Sequence, residues 1–184
     1  MIDSKLIKGE PVSLPEMLDA RERRQALQRQ LIARHNLPLI SFTLNIAGPV
    51  KVFPLAMQTY EEGLRFIKNE CTERCFPIVH VEEIKEKTGW EALLSIAAEA
   101  PALKQMAAFL ETRTALGRLF DIDVIQTNGE KLSRSGANAP RRQCLICHRD
   151  AFQCGRSRTH EVSELFQRTC EIMGDYFSSS CNSH

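Results

Sequence analysis

Asp121 and Asp123 stand two residues apart in Gly117-Arg-Leu-Phe-Asp-Ile-Asp-Val124. Side chains alternate along a strand, so both carboxylates point to one face roughly 6 to 7 Å apart, while Phe120, Ile122 and Val124 point to the other. Carboxylates so placed can hold one or two Mg²⁺ ions, which clamp phosphate oxygens and stabilise the entering and leaving oxygens of a displacement. Nucleotidyl transfer is the reaction that fits. Asp-x-Asp is also a common tripeptide, and two solvated acids on an exposed strand face form the plain alternative. Arg118 and the basic stretch that follows favour the first reading, because a polyphosphate leaving group needs cations nearby.

A second constellation is Cys144-x2-Cys147-x6-Cys154-x5-His160, with His148 as a spare candidate. Three thiolates and an imidazole can close a tetrahedral zinc site that orders a segment lacking its own core. The 6 and 5 spacings match no standard finger or ribbon, and reduced cysteines packed under the last helix are the alternative. Cys71-x3-Cys75 reads as the end of a helix running into a strand, and Cys170 as a helical core position. His35 and His80 have no visible partners and read as structural.

Charge is unevenly spread. From Lys131 to His160 seven basic residues (Lys131, Arg134, Arg141, Arg142, Arg149, Arg156 and Arg158) face one acid, Asp150, although the whole chain carries a formal net charge of +1. Such a segment suits phosphates or an acidic protein. Phe152 is its only aromatic residue, which argues against base stacking and hence against nucleic acid. With 184 residues, 43% of them hydrophobic and 26% charged, the chain suits one domain, 1–184, with its own core. The longest run without charge, Asn36 to Val50, is 15 residues and is broken by Pro38 and Gly48, so no membrane-spanning helix is expected. The first ten residues mix charges of both signs and lack a signal-peptide core. Seven cysteines, an odd number, argue against a complete disulfide framework. The cytoplasm is the expected compartment.

The elements that must position these residues follow from local pattern. Ser13-Leu-Pro-Glu16 is a capping box, and Leu14, Met17, Leu18, Leu27, Leu31 and Ile32 give the following helix an apolar side, with Arg21 to Arg24 on its wet face and a stop near Asn36. Ile40, Phe42, Leu44 and Ile46 alternate with Ser41, Thr43 and Asn45 as a half-buried strand. A helix over Leu55 to Lys68, strands over Phe76 to Ile84 and Trp90 to Ala97, and a helix over Pro101 to Arg113 come next. Phe120 to Thr127 is a strand, Asn128-Gly129 a hairpin turn and Glu130 to Arg134 its return. The order predicts an α+β fold: a mostly antiparallel sheet of split β-α-β-β-α-β type, helices on one face, with an N-terminal cover helix. Residues 135–160 read as a loop region or a small Cys/Arg-rich subdomain and 178–184 as a frayed tail, and a helix is expected from Val162 to about Phe177. There is no internal repeat and no Walker-type or dinucleotide-binding glycine motif.

Four stretches together resemble a known family. They are Val12 to Gln25, Pro38 to Ile46 with Gly48-Pro-Val-Lys51, Gly117 to Val124, and Arg141-Arg-Gln-Cys-Leu-Ile-Cys147 through Cys154-Gly-Arg-Ser-Arg-Thr-His160. In this order they are similar to the apo-citrate lyase phosphoribosyl-dephospho-CoA transferases, also called holo-citrate lyase synthases. The resemblance implies a nucleotidyltransferase that attaches 2'-(5''-triphosphoribosyl)-3'-dephospho-CoA through a phosphodiester to a serine of the citrate lyase acyl carrier (gamma) subunit, releasing pyrophosphate. On that basis Asp121 and Asp123 hold Mg²⁺, and one of them or a metal-bound water accepts the serine proton. Arg118 and some of Arg134, Arg141, Arg142, Arg156 and Arg158 bind the pyrophosphate and cofactor phosphates. Cys144, Cys147, Cys154 and His160 are candidate zinc ligands, and no nucleic acid or membrane is involved. The competing reading is a zinc-stabilised, non-catalytic adaptor whose basic segment binds an acidic carrier protein.

Overall fold

The structure, a computed structural model, describes residues 4–133 and 141–180. After a 3-10 turn at Ser4–Ile7, helix α1 (Leu14–His35) begins at the expected capping box: the Ser13 hydroxyl accepts from Glu16 N–H, and the Glu16 carboxylate accepts from Ser13 N–H at 2.9 Å. It ends at Asn36, whose left-handed backbone (φ 50°) turns the chain out. Only the second half of the apolar side meets the sheet. Leu31 and Ile32, with Leu27, pack on Leu39, Leu93 and Ile125, whereas Leu14 and Leu18 are 72% and 47% exposed. The first half lies instead beside the turn between β2 and β3, held there by ion pairs from Arg23 to Glu86 and from Lys87 to Glu16.

Strands β1 (Leu39–Leu44), β2 (Ile78–Glu86), β3 (Gly89–Ile96) and β4 (Phe120–Ile125) form one sheet in the order β2-β3-β1-β4, and every ladder is antiparallel. Helices α2 (Pro54–Glu73) and α3 (Ala100–Arg113) bury the face that carries Ile40, Phe42, Leu94, Ile122 and Val124. The predicted split β-α-β-β-α-β order is present. Helix α1, however, covers the opposite face, so the helices are not confined to one side. Helix α2 runs past Lys68 because Glu70 and Cys71 continue its buried stripe.

The expected return strand after Asn128-Gly129 is reduced to a single bridge between Ile125 and Lys131. Strand β4 is the sheet's edge, and its outward groups are already taken. Phe120 C=O accepts from Arg142, Ile122 N–H donates to the Glu111 carboxylate, and Ile122 C=O accepts from Lys104. Only Val124 C=O is left for Leu132 N–H, at 2.8 Å. His35 and His80, read as partnerless, stack on one another with ring centroids 5.1 Å apart.

Beyond the sheet, Asp150 caps a short helix α4 (Ala151–Arg156) by accepting from Phe152 and Gln153 N–H. Helix α5 (Val162–Ser180) extends three residues past the expected Phe177 and returns Cys170, Ile172 and Met173 to the main core. The rest of the expected tail, 181–184, lies outside the described residues. Among the described residues no helix is long and apolar enough to cross a membrane.

Gly63 sets the approach of α2 to the sheet. A Cβ there would lie 2.5 Å from Phe42 Cζ and 2.9 Å from Phe120 Cε1, two fully buried rings. Overpacking of this kind costs about 1–3 kcal/mol, so Gly63→Ala is expected to lower the unfolding free energy by that amount, read from a lower midpoint of chemical denaturation at an unchanged slope.

Candidate active site

Strand β4 places Asp121 and Asp123 on the face away from the main core, opposite Thr43 and Ser41 of β1. Their side chains are 45% and 27% exposed. Each already faces a cation. Lys131 Nζ lies 2.6 Å from Asp123 Oδ2, and Arg142 Nη2 lies 3.2 Å from Asp121 Oδ1. The same Arg142 nitrogen donates to Phe120 C=O at 2.7 Å and to Glu111 Oε1 at 2.5 Å. Glu111 is the anchor: its carboxylate is 4% exposed and also accepts from Ile122 N–H at 2.9 Å. A carboxylate carried to such depth needs a cation and well-aligned donors to offset its desolvation.

Two cavities flank this junction and share Asn45 as a wall. The larger, about 960 Å³, lies between the sheet end and the Cys/Arg-rich segment. Arg118, Arg141, Arg142 and Arg158 line it together with the apolar Leu145, Val162 and Leu165. That volume is at the upper end of the roughly 300–1,000 Å³ usual for small-molecule sites. The smaller, about 190 Å³, lies between α1, the start of α2 and the sheet, and Asp121, Thr43, Arg21, Arg24 and Lys51 reach it. Asp121 lines the small cavity while its partner Arg142 lines the large one, whereas Asp123 lines neither.

The Cys/Arg-rich segment is organised around sulfur. The donor atoms of Cys144, Cys147, Cys154 and His160 all lie within 4.8 Å of one another. Cys144 and Cys154 Sγ are 3.5 Å apart, near the ~3.8 Å kept by two sulfurs at about 2.3 Å from a tetrahedral zinc. His148 does not join them. Its left-handed backbone (φ 59°) turns the chain back, so that Cys144 N–H donates to Arg149 C=O at 2.7 Å and Ala151 N–H to Arg142 C=O at 2.9 Å. Burial works to raise the Cys144 thiol, but N–H groups of Cys147 and Ile146 outweigh it and hold it below its ordinary pKa. Burial and the facing Cys144 sulfur raise Cys154. His160 Nε2 is buried with no hydrogen-bond partner among the described residues. Three sulfurs and an imidazole so gathered form a cluster that could hold a metal ion.

Residues 12–176 match the family model described as apo-citrate lyase phosphoribosyl-dephospho-CoA transferase. The chain is 41% identical over 166 residues to a Vibrio cholerae serotype O1 protein named "Probable apo-citrate lyase phosphoribosyl-dephospho-CoA transferase", covering 90% of this chain and 93% of that one. It is 36% identical over 171 residues to an Escherichia coli apo-citrate lyase phosphoribosyl-dephospho-CoA transferase, covering 93% of this chain and 92% of the relative. The chain belongs to this transferase family.

In this transferase the fold brings Arg118, Arg141, Arg142 and Arg158 to one cavity. Arg118 Nη2 also donates to Cys144 C=O at 2.9 Å, and Arg141 pairs with Asp150 at 3.2 Å. Arg156 is turned away from both cavities, its guanidinium 5.7 Å from the centre of the Phe152 ring. Arg134 lies outside the described residues. Sequence reasoning missed Arg21 and Lys51, although both stand in stretches that carried the family resemblance, and it missed Glu111. Glu111 had a legible signal: with Lys104 it puts charge at helical spacing on the buried side of α3, among Leu103, Ala107 and Leu110.

Removing Arg142 takes a cation away from the buried Glu111 carboxylate. Arg142→Met is therefore expected to destabilise the transferase by about 2–4 kcal/mol. The double variant Glu111→Gln/Arg142→Met should recover part of that loss, measured as a positive coupling in a denaturation double-mutant cycle.

Proposed function

We propose that this transferase attaches the 2'-(5''-triphosphoribosyl)-3'-dephospho-CoA prosthetic group to a serine of the acyl carrier subunit of apo-citrate lyase, releasing pyrophosphate, in the cytoplasm. The observation that carries the reading is the arginine-lined cavity of about 960 Å³, one of whose arginines, Arg142, pairs with Asp121, in a chain of this family. Its apolar patches suit the pantetheine and adenine, and its guanidinium groups suit phosphate oxygens. The surplus of cations around it complements a carrier of acidic character.

In the transfer, the serine oxygen forms a bond to the α-phosphorus, the bond from that phosphorus to the bridging oxygen breaks, and the electron pair leaves with pyrophosphate. Asp121, the acid of the pair that reaches a cavity, accepts the serine proton. Arg142, held by Glu111 and Phe120 C=O, keeps that carboxylate in place and faces the phosphate. Asp123, paired with Lys131, supports the same strand face. The two carboxylates fit Mg²⁺, which is commonly held by one or two carboxylates plus substrate phosphates, and the ion would share them with Lys131 and Arg142. Asp121 and Asp123 would hold the ion, which when bound neutralises phosphate charge.

The Cys144, Cys147, Cys154 and His160 cluster holds structural zinc on this reading, and in doing so fixes the wall of the large cavity from which Arg118, Arg142 and Arg158 act. Purified protein should carry about one zinc per chain, as structural sites do. Cys147→Ser should lose it together with thermal stability, measured by elemental analysis and scanning calorimetry.

The transfer itself is tested by intact-mass spectrometry of the apo acyl carrier subunit incubated with the protein, Mg²⁺ and triphosphoribosyl-dephospho-CoA. The expected result is a mass gain equal to the substrate minus pyrophosphate that disappears with EDTA. Carrier binding with no mass gain would overturn the reading and leave a non-catalytic adaptor.

A further inference from the structure

The small cavity contains two cations that the protein itself leaves uncompensated. Arg24 is matched there by a bidentate pair with Glu91, and Asp121 is matched by Arg142 from the neighbouring cavity. Arg21 and Lys51 remain. Among the described residues no carboxylate pairs with either, and the Lys51 ammonium donates only to Ile46 C=O. Both line the same polar cavity. Burial lowers the Lys51 pKa, and the Arg21 charge pushes it the same way, so the two like charges feel one another across the space between α1 and the loop before α2.

The floor adds to this field. Ala56 and Met57, in the first turn of the 20-residue α2, line the cavity, and that turn has neither an acidic residue nor a side-chain cap. A helix start of this kind carries partial positive charge, although Pro54 has no N–H and Met57 N–H is bonded to Phe53 C=O at 3.0 Å. Thr43 and Asn45 supply neutral polar groups at the wall shared with Asp121. Lys51 is partly buried and Arg21 exposed at the cavity's rim, and an anion placed between two such like charges relieves their repulsion. At about 190 Å³, the space is smaller than the roughly 300 Å³ at which small-molecule pockets begin, which selects a compact anion over a nucleotide.

We infer that this cavity is a separate polyphosphate subsite in which Arg21, Lys51 and the first turn of α2 receive the β- and γ-phosphates of the substrate and hold the departing pyrophosphate. The inference rests on the transferase reading for its direction: Asp121 lines the small cavity and stands 3.2 Å from Arg142, which lines the large one, so a chain held in the large cavity would bring its α-phosphorus to Asp121 and its outgoing phosphates to the small cavity. The electron pair released when the bond to the bridging oxygen breaks then lands on an oxygen facing two cations. In the large cavity, by contrast, Arg118, Arg141 and Arg142 are each engaged by a carbonyl or carboxylate, and Arg158 is the cation left to hold the CoA-like phosphates.

The test uses the full-length protein and three variants, Arg21→Gln, Lys51→Met and Arg158→Gln, each checked for native melting. Calorimetry measures binding of inorganic pyrophosphate and, separately, of dephospho-CoA, which lacks the triphosphate. Arg21→Gln and Lys51→Met are each expected to weaken pyrophosphate about tenfold or more, as loss of a charged hydrogen bond does, with dephospho-CoA affinity within about twofold of wild type. Arg158→Gln is expected to do the reverse. Wild type that binds no pyrophosphate, or folded Arg21→Gln and Lys51→Met that bind it normally, would overturn the subsite. If those two variants bind normally while wild type still modifies the carrier, the subsite falls and the transferase reading stands. If they lose pyrophosphate while wild type modifies no carrier, the anion site stands and the transferase reading falls.

Discussion

One guanidinium nitrogen, Nη2 of Arg142, touches the Glu111 carboxylate, the Phe120 carbonyl and the Asp121 carboxylate at once. Three parts of the chain depend on that contact. Glu111 on α3 would lose a charged partner without it, the edge of β4 would lose the donor to its Phe120 carbonyl, and the Cys/Arg-rich segment would lose one of its links to the sheet. Buried charge of this sort is costly to assemble and costlier to break. Its return is positional: Asp121 is fixed at the boundary between a large cavity rich in arginine and a small one with two unmatched cations.

The segment that supplies Arg142 has little core of its own. Its order comes from the hairpin that closes through Cys144 and Arg149, from the Asp150 cap on α4, and from Arg118 gripping the Cys144 carbonyl. Gathering Cys144, Cys147, Cys154 and His160 within 4.8 Å lets one metal ion stand in for the apolar packing the segment lacks. Arg118 then links the sulfur cluster to the start of β4, so the cluster and the cavity wall are parts of one construction.

Local physics was readable in the residues, and long-range packing was not. The Ser13 capping box and the common face of Asp121 and Asp123 are set within a few residues, and each stands as expected, whereas β1, expected to be half-buried, is buried on both faces over its first four residues because α1 covers the second one. Cys144 to His160 was also legible, because ligand type and a Cys-x2-Cys turn carry their own geometry. The apolar side of α1 was misjudged in its first half because where a helix leaves a sheet depends on the sheet, and Leu14 and Leu18 pass beyond it. Arg21 is exposed on the wet face as read, and what the residues could not show is that the loop carrying Lys51 folds near it to make a cavity. The return strand failed because the edge it needed was filled by Arg142, Glu111 and Lys104, none of them near it in sequence. What separates Asp121 from Asp123 is also tertiary: identical residues on one face, only one of which reaches a cavity.

The central claim is that Asp121, held at this junction, performs the proton transfer that accompanies attachment of the prosthetic group. The most direct measurement is the single-turnover rate of carrier modification by Asp121→Asn, beside wild type and Asp123→Asn, with native folding verified by near-ultraviolet circular dichroism. A positioned acid–base group contributes about 10²–10⁴-fold. The account predicts a loss of that order for Asp121→Asn, larger than for Asp123→Asn. A folded Asp121→Asn protein that modifies the carrier at close to the wild-type rate would contradict it.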